Sequence, residues 1–340
     1  MRLGLLLGFE DSMATVTRLA SAAGAAGFDS LHTVEAGRSA FVTAAAVIAA
    51  TERATVGTYI VNAYAREPWL TGIAARDLAE LSGGRFVLGV GTGNPHFNDW
   101  YLGIDSSRPV AKMRDYLRIV RRVVTARAGE AVRYDGDVHR IRWRASWEPA
   151  QPSLPVYLSA SGPNMVRLAG QEADGVAVGV MSSTDFLRRI VRPAARAAAE
   201  DVGRDAGELA FPVGAQLSVN ADEELARRAT RASICGLFHP VPHPYYDSQL
   251  RQLGYGDFAD AAARLMPEGR TREAMELVPD EVIDTMTITG TPAQCAARVA
   301  DYDGLADELV LMRLEQRGEP SGPAAWDDLF DLASRVAATG

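Results

Sequence analysis

Two hydrophobic periods alternate along most of the chain: short apolar runs closed by turn residues, then longer stretches with apolar positions three and four apart. The first kind predicts buried parallel strands and the second the crossover helices that join them. Strands are expected over 3–9, 29–34, 55–61, 85–91, 156–159, 175–180, 211–219 and 309–314. Helices are expected over 15–26, 40–51, 68–81, 112–128, from Ser161-Gly162-Pro163-Asn164 to about Ala173, over 185–200 and over 326–336, and Gly290-Thr291-Pro292 opens one more. Gly27 suits a left-handed cap, and Pro68 suits a first helical turn because its missing N–H costs nothing there. Eight strand–helix units in one series predict an α/β fold, a closed (β/α)8 TIM barrel with insertions, over an open doubly wound sheet.

Three stretches depart from this rhythm. Residues 92–111 form a long connection rich in aromatic and turn residues, of a length that is more often functional than idle. Tyr134 to Trp143 reads as a hairpin around Asp135-Gly136-Asp137, followed by the proline-punctuated segment Pro149 to Pro155. Residues 221–285 are helical in pattern but broken at His239-Pro240-Val241-Pro242-His243-Pro244. The expectation is a single barrel domain over 1–340 with a helical insertion at about 233–285, able to lid the barrel mouth.

Composition changes this picture mainly by exclusion. Of 340 residues 47% are apolar and 23% charged, the balance of a globular chain with a substantial core, and length alone forces no split into domains. A formal charge of -8, with Lys112 the only lysine, argues against nucleic acid as a partner. No apolar stretch reaches the ~20 residues a bilayer requires, so no membrane role is expected. The first apolar run soon meets Glu10 and Asp11 and reads as a strand, not a signal peptide. Cys235 and Cys295 lie far apart with no metal-ligand spacing, so neither a metal site nor a disulfide framework is indicated, and a reduced, cytoplasmic location is the default.

In a barrel of this kind the chemistry sits where strands end, which selects Gly8-Phe9-Glu10, Glu35, Ile60 to Asn62, Thr92 to Asn94, Ser159 to Gly162 and Val180-Met181. Glu35 closes a buried strand, where desolvation suits acid–base work; the alternative is an ion pair with Arg38 or Arg66. His96 is either a proton donor or a solvated loop histidine, and His239 and His243 read as turn residues. Phe97, Trp100 and Tyr101 suit either the wall of a flat ligand site or a local plug holding the loop down. The glycines at 89, 91 and 93 lack the Rossmann spacing; they serve close approach of a ligand or relief of crowding inside the barrel. Ser161-Gly162-Pro163-Asn164 leads a helix whose first N–H groups suit a phosphate, or is an ordinary serine cap.

Several of these stretches resemble one family when taken in order. Gly27-Phe28-Asp29-Ser30 with Glu35-Ala36-Gly37-Arg38-Ser39-Ala40-Phe41, then Thr51-Glu52-Arg53, Val56-Gly57-Thr58, Asn62 with Arg66 and Pro68, and Leu81-Ser82-Gly83-Gly84-Arg85-Phe86-Val87-Leu88-Gly89 resemble the luciferase-like monooxygenase superfamily. Trp100-Tyr101, Pro109, Arg114, Tyr116 and Ile119-Val120-Arg121 are similar to its F420-dependent, methylenetetrahydromethanopterin reductase-like branch. Ser161-Gly162-Pro163, Ala173-Asp174-Gly175 and Gly290-Thr291-Pro292 extend the likeness over nearly the whole chain, least over 233–279.

The resemblance implies a barrel, usually dimeric, that holds coenzyme F420, with FMN as the alternative. It maps a strand bulge with a non-prolyl cis peptide onto Tyr59-Ile60, ring contacts onto Asn62, Thr92, Gly93 and Asn94, and the phosphate site onto Ser159, Ala160, Ser161 and Gly162. Relatives often carry an acidic residue followed by histidine after strand two; here the pair is Glu35-Ala36, so a proton must come from Glu35, His96 or another loop group, or water. Lysines that relatives use for sugar phosphates have no counterpart beyond Lys112. The implied function is hydride transfer between F420 and an imine, enone or similar small molecule. The alternatives are an FMN-dependent monooxygenase fed by a partner flavin reductase, and a non-catalytic flavin-binding protein.

Overall fold

The computed structural model describes residues 1–9, 12–151, 153–314 and 326–339. Glu10, expected at the end of the first strand, lies outside the described residues, as does Pro152 of the proline-punctuated segment. The chain packs as two compact units, one of residues 2–178 with 189–212, the other of residues 179–188 with 213–340 and Met1.

The first unit is built on parallel strands β1 (Arg2–Leu7), β2 (Ser30–Thr33), β3 (Thr55–Thr58), β4 (Val61–Asn62), β5 (Phe86–Gly91), β8 (Val156–Ser159) and β9 (Gly175–Ala177). Their order is β1-β2-β3-β5-β8-β9, with β4 paired to β5. Register runs Leu5–Leu31–Val56–Phe86 across the first four, and Leu88–Val156 and Leu158–Val176 beyond. Strand β5 is buried at all six positions, as expected of a parallel strand covered on both faces.

Helices α1 (Met13–Ala25), α2 (Ala40–Ala49), α3 (Pro68–Leu81), α4 (Pro109–Thr125) and α5 (Pro163–Glu172) connect the strands. Ser12 caps α1 through its side chain, accepting from the Thr15 N–H. Helix α4 starts at Pro109, earlier than the expected Lys112, because the proline supplies a ready first turn and Arg108 before it turns the chain at φ 54. The antiparallel pair β6 (Ala131–Asp135) and β7 (Arg140–Arg144) forms the expected hairpin. Asp115 of α4 grips its tip, accepting from Tyr134 Oη at 2.7 Å and from the N–H groups of Val138 at 2.7 Å and His139 at 3.0 Å.

In the second unit β10 (Pro212–Val219) lies between β11 (Ile288–Gly290) and β12 (Glu308–Arg313). Strand β11 corrects the expectation of only a helix opening there; it pairs in parallel with β10, Leu217 opposite Ile288. Five helices fill residues 223–286, and Phe238, Leu250, Phe258, Ile283 and Met286 pack with Met181 into one core. Both cysteines are buried and unbridged, each thiol pushed up to about 12 by that burial.

Candidate active site

The ends of β2, β3, β4, β5 and β8 gather the candidate residues in the first unit. The expected strand over 55–61 is interrupted: β3 stops at Thr58, the Tyr59–Ile60 peptide is cis, and β4 resumes at Val61. Toward β5 the Thr58 side chain stands in for the ladder, and toward β2 main-chain bonds continue it. Thr58 Oγ1 donates to Gly89 O at 2.8 Å and accepts from Gly89 N at 2.9 Å. On the other side Tyr59 N donates to Thr33 O at 2.7 Å and Glu35 N to Ile60 O at 3.2 Å. The Tyr59 hydroxyl donates to the main-chain oxygen of Val178, and its ring meets His32 edge to face.

Glu35 forms the ion pair with Arg66 that the sequence reading held as the alternative. Arg66 Nε donates to Glu35 Oε1 at 2.9 Å and Oε2 at 3.1 Å, and Asn62 N donates to Oε2 at 3.2 Å. That bond raises the Arg66 guanidinium above its ordinary range, against the opposing effect of burial. Arg66 also lies 5.0 Å over the Phe41 ring and donates to Ser39 Oγ. The carboxylate therefore acts as an acceptor that fixes the main chain of Asn62.

The connection 92–111 is more ordered than expected. Residues Phe97–Tyr101 form a π-helical turn, and His96 lies in the helical turn leading into it, not in an open loop. The Asn94 side chain accepts from His96 N at 2.9 Å. The His96 ring lies 5.0 Å from Trp100, and its Nε2 is buried without a hydrogen-bond partner. Phe97 stacks on Tyr101 at 5.3 Å, yet Trp100 and Tyr101 remain 68% and 63% exposed, so these rings do not form a buried plug. The residue that holds the turn down is Asn98, fully buried, which sequence reasoning missed.

Gly93 turns with φ +65, and a Cβ there would stand 2.8 Å from the Asn62 side-chain amide. A left-handed glycine is thus required where the end of β5 passes Asn62. Downstream, Ser161 is not the cap of α5. The cap residue is Gly162, which makes no side-chain cap bond and has nothing within 4 Å of an added Cβ, so the helix start faces open space. Lys112 stands on α4 with Nζ 4.4 Å over the Tyr64 ring, its ammonium lowered below the ordinary range chiefly by burial. Tyr64 in turn donates to the carbonyls of Ser106 and Ser107. Among the described residues no group of His, Cys, Asp or Glu is placed to hold a metal ion, and no helix is long and apolar enough to cross a membrane.

The family model for luciferase-like monooxygenases matches residues 1–308. The chain belongs to this family. Among its relatives, the 5,10-methylenetetrahydromethanopterin reductase of Archaeoglobus fulgidus is 27% identical over 270 residues, covering 79% of this chain and 77% of that one. The coenzyme F420 dependent tetrahydromethanopterin reductase of Methanopyrus kandleri superposes with a TM-score of 0.83 at 22% identity, covering 99% of both chains. The oxygenating constituent of 3,6-diketocamphane monooxygenase from Pseudomonas putida, in complex with FMN, superposes at 0.68 with 17% identity and covers 99% of this chain and 98% of its own. These likenesses establish the fold as the α/β, TIM-barrel-like fold of this family, as the strand–helix alternation predicts.

Proposed function

We propose that the protein is an oxidoreductase that moves a hydride between coenzyme F420 and an organic small molecule such as an imine or enone. The observation that carries this reading is the likeness to the 5,10-methylenetetrahydromethanopterin reductase of Archaeoglobus fulgidus over nearly four-fifths of both chains, joined to strand ends whose residues fit the cofactor. The fit rests on two features. His96 Nε2 is buried and lacks a partner, and the start of α5 at Gly162 opens onto free space where the positive end of the helix suits a phosphate.

When bound, F420 supplies a hydride donor or acceptor at C5 of its deazaflavin ring. Tyr59 and Ile60 would hold the ring together with Asn62, Thr92, Gly93 and Asn94, and Ser159 to Gly162 would hold the phosphate. Glu35, committed to Arg66 and Asn62, orients the wall of the site, while His96 is the group free to carry a proton. Exposed Phe97, Trp100 and Tyr101 offer a flat apolar surface to the substrate.

The test is anaerobic turnover of reduced F420 against a panel of imines and enones. The expected result is cofactor oxidation without oxygen, and a loss of about a hundredfold in His96→Gln at unchanged cofactor affinity. The second reading, an FMN-dependent monooxygenase with a partner flavin reductase, is favoured by the fold shared with the FMN-bound diketocamphane enzyme. Oxygen consumption with reduced FMN and none with F420 would support it instead.

We further propose a cytoplasmic homodimer, on the support of two unbridged buried cysteines and of apolar side chains left outside on early helices. Val42 of α2 is 64% exposed and Leu70 of α3 48%. Sedimentation should give a dimer that Val42→Glu with Leu70→Glu converts to monomer; an unchanged mass would remove these helices from the interface.

A further inference from the structure

One side chain in the turn that carries His96 and the aromatic group is fully buried. Asn98 is fully buried, although Trp100 and Tyr101 beside it are more than half exposed. Its amide joins two strand ends. Asn98 Nδ2 donates to Thr92 O at 2.8 Å, and Asn98 Oδ1 accepts from Asn62 Nδ2 at 2.6 Å. Asn62 Oδ1 accepts from Tyr64 N at 3.0 Å. The direction of both amides is dictated at the ends of this relay. The Thr92 carbonyl can only accept and the Tyr64 N–H can only donate, so neither amide can turn over without setting like groups against each other. Main-chain bonds complete the anchor, Asn98 N to Asn94 O at 3.0 Å and Ile104 N to Asn98 O at 2.9 Å.

We infer that Asn98 is a positioning residue that clamps the 92–104 segment to Asn62, so that the strand end at Asn62 and the aromatic turn are set by one buried group. This rests on the cofactor reading above only for its affinity readout. The clamp works through donor and acceptor placed on opposite sides of one planar group. Alanine removes both functions. Aspartate keeps the shape, but as a carboxylate it only accepts and confronts the Thr92 carbonyl; once protonated it regains one donor and one acceptor. Burial raises a carboxyl group's pKa, so that recovery falls within an accessible pH range.

The experiment compares wild type, Asn98→Ala and Asn98→Asp by hydrogen exchange of residues 92–104, corrected for intrinsic rates, and by equilibrium dialysis of F420. Asn98→Ala should exchange this segment at least about tenfold faster and bind F420 about tenfold more weakly. Asn98→Asp should behave like alanine at about pH 8 and approach wild type at about pH 5, a recovery that a mere packing role would not produce. Exchange and binding unchanged in Asn98→Ala, or an Asn98→Asp variant indifferent to pH, would overturn the clamp. If wild type bound no F420 while exchange followed the predicted pattern, the clamp would stand and the cofactor reading would fall.

Discussion

Replacing Arg76 by alanine lowers the stability of the protein by about 3 kcal/mol or more. The side chain is only 2% exposed, a burial that lowers the guanidinium's pKa. Its charge is held by carbonyl oxygens: Nη1 donates to Val123 O at 2.9 Å and Ala126 O at 2.7 Å, and Nη2 to the carbonyl of Trp147. Two of these lie at the end of α4, where carbonyls lack helical partners and the helix dipole favours a cation. Trp147 stacks over the guanidinium at 4.7 Å. Truncation therefore leaves a cavity and several stranded carbonyls, and frees the chain that follows the hairpin. Arg76→Lys should recover only part, since a compact ammonium cannot span three acceptors. Urea unfolding followed by circular dichroism measures the loss; a change under about 1 kcal/mol would show that the carbonyls find other partners.

Gly89→Ala should be nearly as damaging and should also reach the site. A Cβ at Gly89 would stand 2.1 Å from Thr58 O, a main-chain atom that cannot rotate away. Strands β3 and β5 must separate, which breaks the paired bonds of the Thr58 hydroxyl and moves the strand ends that carry Asn62 and Thr92. The expected cost is about 3 kcal/mol, with F420 affinity down by at least about tenfold. Gly236→Ala, where nothing lies within 4 Å, serves as the neutral control. Normal stability and binding in Gly89→Ala would mean that the crowding between the strands is relieved by a small shift. This contact also decides between the two readings of that glycine: it relieves crowding in the strand layer.

Local signals account well for the elements that sequence alone made legible. Helix α3 spans the expected Pro68–Leu81 because a proline opens it and the Ser82-Gly83-Gly84 run closes it. Strand β8 likewise matches Val156–Ser159, an apolar run set off by Pro155. Strand β11 is not legible in the sequence because three residues with a threonine at the centre carry no readable period, and only pairing with Leu217 to Val219, some seventy residues away, makes them a strand. The break after Thr58 is invisible to hydrophobic pattern, since Tyr59 and Ile60 continue the apolar run; only the family resemblance located it.

The site was legible by position more than by chemistry. Strand ends point to Glu35 and Asn62, which the structure brings into contact, and the ion pair with Arg66 is the one of the two readings of Glu35 that the structure contains. Asn98 was not foreseen. A polar residue among exposed aromatics reads as surface, and its burial depends on Asn62 and Thr92, which sequence spacing does not bring near. The one available signal was a lone amide inside an aromatic run on a long connection.

Titration of the purified protein with F420 and separately with FMN, followed by quenching of cofactor fluorescence, separates a deazaflavin enzyme from a flavin one. F420 is expected to bind at least about tenfold more tightly than FMN. Tighter binding of FMN would contradict it and direct attention to oxygen chemistry with a partner reductase.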